Sequence, residues 1–169
     1  KVMINFLTSF FKSDERLNLL ILIVSSLSLI SSFYIEYVIG IEPCTLCVAQ
    51  RIFLLLITIL TLFKYLIPTK IQLSIPILLF SLFGSIFAFR QVYLQEEMSV
   101  ETLSCGPKFF DLLSSLPFHE FVVRVFQGDG NCTQTYYEIL GLKVSEWSAI
   151  VFVFIALILF VKLFLKNKN

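Results

Sequence analysis

Four long runs of apolar residues constrain the fold of this chain more than any other feature. The runs cover residues 17–39, 48–67, 71–94 and 147–165, and each is long enough to cross about 30 Å of hydrocarbon as a helix. A helix satisfies its own backbone hydrogen bonds within lipid, whereas an open strand does not. The sequence therefore predicts an all-α fold, a four-helix transmembrane bundle that forms a single integral membrane domain over residues 1–169.

The composition excludes an ordinary water-soluble domain. Hydrophobic residues make up 57% of the chain, charged residues only 15%, and the mean hydropathy is +0.89. One soluble core of this size could not bury so much apolar surface. We expect the first run to be retained as a span, because it lacks a small-residue cleavage site at its end. Membrane lipid is the expected environment, and no nucleic-acid partner is expected.

The distribution of basic residues predicts the orientation in the membrane. One set of flanks carries two acidic residues and eight basic ones, namely Lys1, Lys12, Arg16, Lys64, Lys70, Lys162, Lys166 and Lys168. The other ten acidic residues lie on the opposite side. Because cytoplasmic flanks are enriched in Lys and Arg, both termini are predicted to be cytoplasmic. The loops at about 40–47 and 95–146 are predicted to face the opposite, outer side of the membrane.

All four cysteines fall in the two predicted outer loops. Cys44 and Cys47 form a CxxC motif at the start of the second span, where the helix N-terminus favours a thiolate and thus disulfide exchange. Cys105 and Cys132 are 27 positions apart and are expected to form a second disulfide, as an oxidising compartment allows. Two inert structural disulfides remain an alternative. A zinc site is disfavoured by the wide second spacing and by a single histidine, His119.

Arg51 follows Cys47 by four residues and Cys44 by seven, so a helix places all three on one face. A charge at the membrane edge is costly without a purpose. The functional interpretation is a cation that stabilises a Cys47 thiolate. The alternative is an interface anchor whose stem lies along apolar surface. Arg90 lies at the end of the third span. It either adds to the positive charge that Arg51 places near the cysteines or holds the end of the helix in place.

The segment between the second pair of cysteines carries apolar residues at roughly helical spacing from Phe109 to Phe126. Charged residues interrupt this pattern, which predicts a short helix lying on the membrane surface. The alternative is an ordinary loop helix packed on the bundle.

Together these residues resemble the DsbB family of disulfide bond formation proteins. The matching segments are Pro43-Cys44-Thr45-Leu46-Cys47 with Arg51, Ser85 to Arg90, Val125 to Cys132, Leu140-Gly141-Leu142, and Glu146-Trp147. The resemblance covers nearly the whole chain from the first span to the last. The order of four spans, a CxxC in the first outer loop and a cysteine pair in the second is specific to this family.

The resemblance implies a quinone-dependent thiol oxidase of the bacterial inner membrane, with its cysteine-bearing loops in the periplasm. In this role it would reoxidise a periplasmic DsbA-like dithiol protein and so support disulfide bond formation. The partner would attack Cys105 and release Cys132, which would then attack Cys44 and free Cys47 as a thiolate. Cys47 would pass electrons to a membrane quinone, either ubiquinone or menaquinone. The quinone is expected near Cys44, Cys47 and Arg51.

The sequence departs from some family members after the third span, where several carry a histidine and this chain has Glu96, Glu97 and Met98. A quinone contact assigned to such a histidine therefore cannot be transferred. The closest competing enzyme class resembles vitamin K epoxide reductase, which places its CxxC after the loop pair, whereas here the CxxC comes first. An adaptor membrane protein with two inert disulfides is the rival from another class.

Overall fold

Long helices dominate the computed structural model, which describes residues 14–67, 73–97, 109–128 and 138–167. Within these ranges, four helices are long and apolar enough to cross a membrane. They are α1 (Asp14–Tyr34), α2 (Thr45–Leu66), α3 (Ser74–Glu97) and α6 (Val144–Asn167). This architecture confirms the predicted all-α membrane bundle.

The four long helices pack around a core at their centre. Helix α2 lies against α1 and α3, and α3 lies against α6, whereas α1 and α6 contact each other only sparsely. Phe152 of α6 is fully buried in this core, and Gly84 of α3 lies against its ring so closely that a Cβ there would overlap it. The sparse contact between α1 and α6 leaves room for the cavity described below.

The outward faces of the helices are strongly apolar. Leu27, Ile30, Phe89 and Phe160 are each more than half exposed. Water-soluble monomers rarely expose apolar surface of this extent. The bundle is therefore built to be surrounded by lipid, as the composition predicted.

Three of the four long helices begin before their apolar runs, at Asp14, Thr45 and Val144. Helix α2 begins at Thr45 because the Cys44 sulfur accepts a hydrogen bond from the Cys47 backbone N–H at 3.4 Å and caps the first turn. Helix α6 begins at Val144, where the Glu146 carboxylate accepts from the Lys143 backbone N–H at 2.6 Å. Helix α1 continues into a π-helical segment, Ile35–Ile39, which ends at Gly40 with a left-handed φ of 81°.

The second outer loop contains two short helices where the sequence predicted one. Helix α4 (Phe109–Ser115) and helix α5 (Phe118–Gln127) are separated at Pro117, which lacks a backbone N–H and serves as the N-cap of α5. Their apolar residues pack on the bundle: Phe109, Leu112, Phe121 and Val125 form one buried cluster with Ala49 of α2, and Phe87 of α3 packs against that cluster. This is the packed arrangement given above as the alternative; a position at the membrane surface remains a prediction.

A small hairpin, which the sequence reasoning did not predict, precedes the last helix. Strand β1 (Glu138–Ile139) pairs antiparallel with β2 (Leu142–Lys143). Leu140 and Gly141 form the turn with φ angles of 56° and 79°, the positive values that a tight two-residue hairpin requires. The Trp147 indole N–H donates to the Ile139 carbonyl at 2.9 Å and so fixes the hairpin to the start of α6.

Candidate functional site

The CxxC pair occupies the first turn of α2. Cys44 is the N-cap residue, and its sulfur lies 3.0 Å from that of Cys47. Cys44 is only 1% exposed, whereas Cys47 is half-buried and borders a cavity. The two sulfurs lie close enough for a disulfide to form between them with a small displacement. The helix N-terminus favours negative charge at both sulfurs.

A chain of polar side chains from three helices ends on the Cys47 sulfur. The Gln91 side-chain N–H of α3 donates to that sulfur at 3.1 Å. The Gln91 oxygen accepts from the Gln50 amide of α2 at 2.8 Å, and the Gln50 oxygen accepts from the Ser148 hydroxyl of α6. Both glutamines are less than 5% exposed.

The sequence reasoning missed this chain, although a signal was present. Gln50, Gln91 and Ser148 lie within or beside apolar runs, where a polar group facing lipid would be costly. Such residues face the bundle interior and need partners there. That signal identifies the residues, but it does not say which of them meet.

Arg51 lies on the face of α2 that borders the cavity, and its side chain is only 15% exposed. Its guanidinium donates to the Ser32 hydroxyl at 2.5 Å, to the Ser32 carbonyl at 2.9 Å and to the Glu36 carboxylate. It also lies 5.3 Å from the centre of the Phe33 ring. The cation is therefore fixed by α1, and the Glu36 partner was not anticipated from the sequence.

The cavity has a volume of about 410 Å³, which lies within the range of small-molecule sites. Its polar side chains are Cys47, Gln50, Arg51, Gln91, Gln95 and Ser145, among others. Apolar lining comes from Leu27, Leu54 and Val151, and the hairpin residues Ile139 and Leu140 border it as well. Such a lining suits a small molecule that carries both polar atoms and apolar surface. Among the described residues, no cluster of His, Cys, Asp or Glu is placed to hold a metal ion.

The structure brings three of the five predicted site residues to one place. Cys44, Cys47 and Arg51 lie together at the CxxC end of the bundle. Cys105 and Cys132 lie outside the described residues, as does Met98, so the positions of the two cysteines relative to the CxxC remain a prediction.

Two other residues singled out from the sequence lie on or against α5. The Arg90 side chain donates to the Phe126 carbonyl at 3.1 Å and lies 5.7 Å from the centre of the Phe126 ring. This contact supports the structural interpretation of Arg90, because it holds α5 against the end of α3. The side chain of His119 is 79% exposed and lies 3.7 Å from the Glu120 carboxylate.

Comparison with known proteins gave consistent matches. The family model described as Disulfide bond formation protein DsbB matches residues 14–162. Disulfide bond formation protein B of Polaromonas sp. (strain JS666) is 32% identical over 156 residues, covering 90% of this chain and 92% of the relative. Disulfide bond formation protein B 2 of Pseudomonas fluorescens (strain Pf0-1) is 34% identical over 131 residues, covering 75% and 72%. No solved structure gave a significant match.

Proposed function

Because this chain belongs to the DsbB family of disulfide bond formation proteins, we propose that it is a thiol:quinone oxidoreductase. In this role it reoxidises a DsbA-like periplasmic dithiol protein and passes the electrons to a membrane quinone. The family match and the four apolar helices indicate a multi-pass inner-membrane protein that takes part in disulfide bond formation. The proposal adds the electron donor, the electron acceptor and the path between them.

The observation that carries the proposal is the position of Cys47. Its sulfur is half-buried at the helix N-terminus, borders the cavity and lies 3.0 Å from the Cys44 sulfur. A thiol there can exchange with Cys44 on one side and face a bound molecule on the other. A purely structural disulfide has no need of an adjoining cavity with a partly buried cation in its wall.

The proposed relay moves one electron pair by disulfide exchange. A partner thiolate attacks Cys105 of a Cys105–Cys132 disulfide, and Cys132 leaves with the bonding electrons. Cys132 attacks Cys44 of the Cys44–Cys47 disulfide, and Cys47 leaves as the thiolate. The second partner thiol then displaces Cys105 and completes the partner's disulfide. Cys105 re-forms its bond to Cys132 and releases Cys44, which leaves Cys44 and Cys47 as a reduced pair.

The cavity residues fit a quinone headgroup. Arg51 provides a fixed positive charge for a developing oxygen anion, and Cys47 borders the same space. When bound, the quinone accepts two electrons from the reduced pair and two protons, which restores the Cys44–Cys47 disulfide. The sparse contact between α1 and α6 gives an apolar tail a route to the lipid. We also propose that this end of the bundle faces the periplasm, because the basic flanks lie at the other end.

The test is quinone reduction by the purified protein, driven by a reduced DsbA-like partner and followed by quinone absorbance. Turnover is expected in the wild type and in Thr58→Ala, a control that removes a hydroxyl donating to the Leu54 carbonyl of its own helix. Turnover is expected to disappear in Cys44→Ser and in Cys105→Ser. Parallel assays with ubiquinone and menaquinone identify the acceptor.

The proposal would be overturned by a wild type that reduces none of several quinones with several dithiol partners. In that case the alternative of two inert disulfides would describe the protein. Thiol trapping gives the same distinction, because inert disulfides stay oxidised when quinone is withdrawn and catalytic ones accumulate as thiols.

A further inference from the structure

The chain of hydrogen bonds from α6 to Cys47 has a definite direction. Ser148 donates to the Gln50 oxygen, Gln50 donates to the Gln91 oxygen at 2.8 Å, and Gln91 donates to the Cys47 sulfur at 3.1 Å. Since the oxygen of Gln91 is occupied by Gln50, its N–H group is the part of the amide that faces the sulfur. The three side chains come from α6, α2 and α3, so the arrangement depends on the packing of the bundle.

A donor aimed at sulfur distinguishes the redox states of Cys47. Hydrogen bonds to an ionised acceptor are roughly twice as strong as those between neutral groups. The Gln91 N–H therefore stabilises a Cys47 thiolate more than it stabilises the thiol or the disulfide. Gln91 is 3% exposed, so water does not compete strongly for this bond. Donors that are fixed before charge develops are an efficient means of lowering a barrier.

Gln91 and Arg51 act on the sulfur in different ways. The N–H groups of Arg51 donate to Ser32 and Glu36, so Arg51 acts on Cys47 through its charge. Gln91 touches the reacting atom directly. The two residues also come from different helices, so their contributions can be removed separately.

We propose that Gln91 is a catalytic residue that stabilises the Cys47 thiolate by hydrogen bonding, with Gln50 and Ser148 as its positioning residues. The inference rests on the proposed function, in which Cys47 is the donor to the quinone. When Cys132 attacks Cys44, the Cys44–Cys47 bond breaks and both of its electrons remain on the Cys47 sulfur. Gln91 transfers no proton in this step; it donates a hydrogen bond to the charge that appears.

The test measures thiolate reactivity without quinone. In a protein carrying Cys44→Ser, Cys105→Ser and Cys132→Ser, Cys47 is the one remaining thiol of the sequence. Its rate of alkylation by iodoacetamide is measured from neutral to alkaline pH. Gln91→Met removes the donor at nearly constant length, and Gln91→Ala removes it with a smaller side chain, so the test survives if one variant folds poorly.

We expect both Gln91 variants to alkylate at least about tenfold more slowly at neutral pH, because a hydrogen bond to a charged group is lost. At alkaline pH, where the thiol is ionised in every variant, their rates should approach that of the unsubstituted background. Gln50→Met and Ser148→Ala should show the same pH pattern with a smaller decrease. If the substitutions changed only the access of iodoacetamide to the Cys47 sulfur, the alkylation rate would change by the same factor at every pH, and that result would overturn the proposal.

Ser85→Ala is the matched control. Ser85 lies on the same helix α3, is buried and donates to the Ser81 carbonyl of that helix, so its substitution should leave the alkylation profile of Cys47 unchanged. Unchanged neutral-pH alkylation in the Gln91 variants would overturn the inference. Because alkylation needs no quinone, this result is independent of turnover: a wild type that reduces no quinone would refute the proposed function instead.

Discussion

Replacing Arg51 by methionine tests the electrostatic part of the site. The substitution removes the guanidinium held by Ser32 and Glu36 and keeps an unbranched apolar stem. The Cβ atoms of residues four apart on a helix lie about 6 Å apart, and Arg51 is four residues after Cys47. With that as the smallest separation of the two charges and an effective dielectric constant of about 20, the cation stabilises a thiolate by at most about 3 kcal/mol.

We therefore expect the turnover number for quinone reduction to fall by up to about a hundredfold in Arg51→Met, since each 1.4 kcal/mol corresponds to a factor of about ten. The Glu36 carboxylate remains in this variant without its cation and opposes a nearby thiolate. In the double variant Arg51→Met/Glu36→Gln that carboxylate is also removed. If the repulsion from Glu36 is about half of the stabilisation by Arg51, the double variant should recover about half of the lost activation free energy. A loss of about a hundredfold in the single variant would then become a loss of about tenfold in the double variant.

The assay is quinone absorbance under partner-driven turnover, with thermal unfolding in detergent as the check on folding. Arg90→Met is the matched control, because Arg90 bonds to α5 at the Phe126 carbonyl and its loss leaves the charge at the cavity in place. Wild-type rates in Arg51→Met would refute the electrostatic argument. Full recovery in the double variant would refute it too, by assigning the whole loss to the unpaired carboxylate.

Two further predictions concern the scaffold of the site. Gly84→Ala should destabilise the bundle by about 1–3 kcal/mol, because the added Cβ overlaps the Phe152 ring; thermal unfolding in detergent measures the loss, and Phe152→Leu in the same chain should restore part of it. Leu140→Gly should stabilise the protein by about 1 kcal/mol, because Leu140 is 89% exposed and has a φ of 56°. Leu140→Ala retains the unfavourable φ and should give no such gain in unfolding temperature, so an equal gain would contradict the explanation.

Much of the fold could be predicted from the sequence because the signals are local. A run of apolar residues reports its own length, and the length of a span is set by the thickness of the hydrocarbon core. The CxxC and Arg51 are close in sequence, so helical geometry alone places them on one face. The division of the second loop into α4 and α5 was missed, although Pro117 gives a physical reason for it.

The hydrogen-bond partners of the site residues could not be predicted from the sequence. Gln50 and Gln91 are 41 positions apart, and Gln50 and Ser148 are 98 positions apart. Whether such side chains meet depends on the rotation of each helix about its axis and on how deeply it packs against its neighbours. The same holds for the Glu36 partner of Arg51, which follows from the π-helical continuation of α1.

The sequence by itself thus determined the membrane bundle, the family and the place of the CxxC at the start of a span, because hydropathy and short motifs are properties of neighbouring residues. Only the tertiary structure decided what surrounds Cys47: an amide donor from α3, a cation fixed by α1, and a cavity bordered by α6 and the hairpin. Those features arise where four helices converge, and their side-chain pairings are set by the packing of the whole bundle.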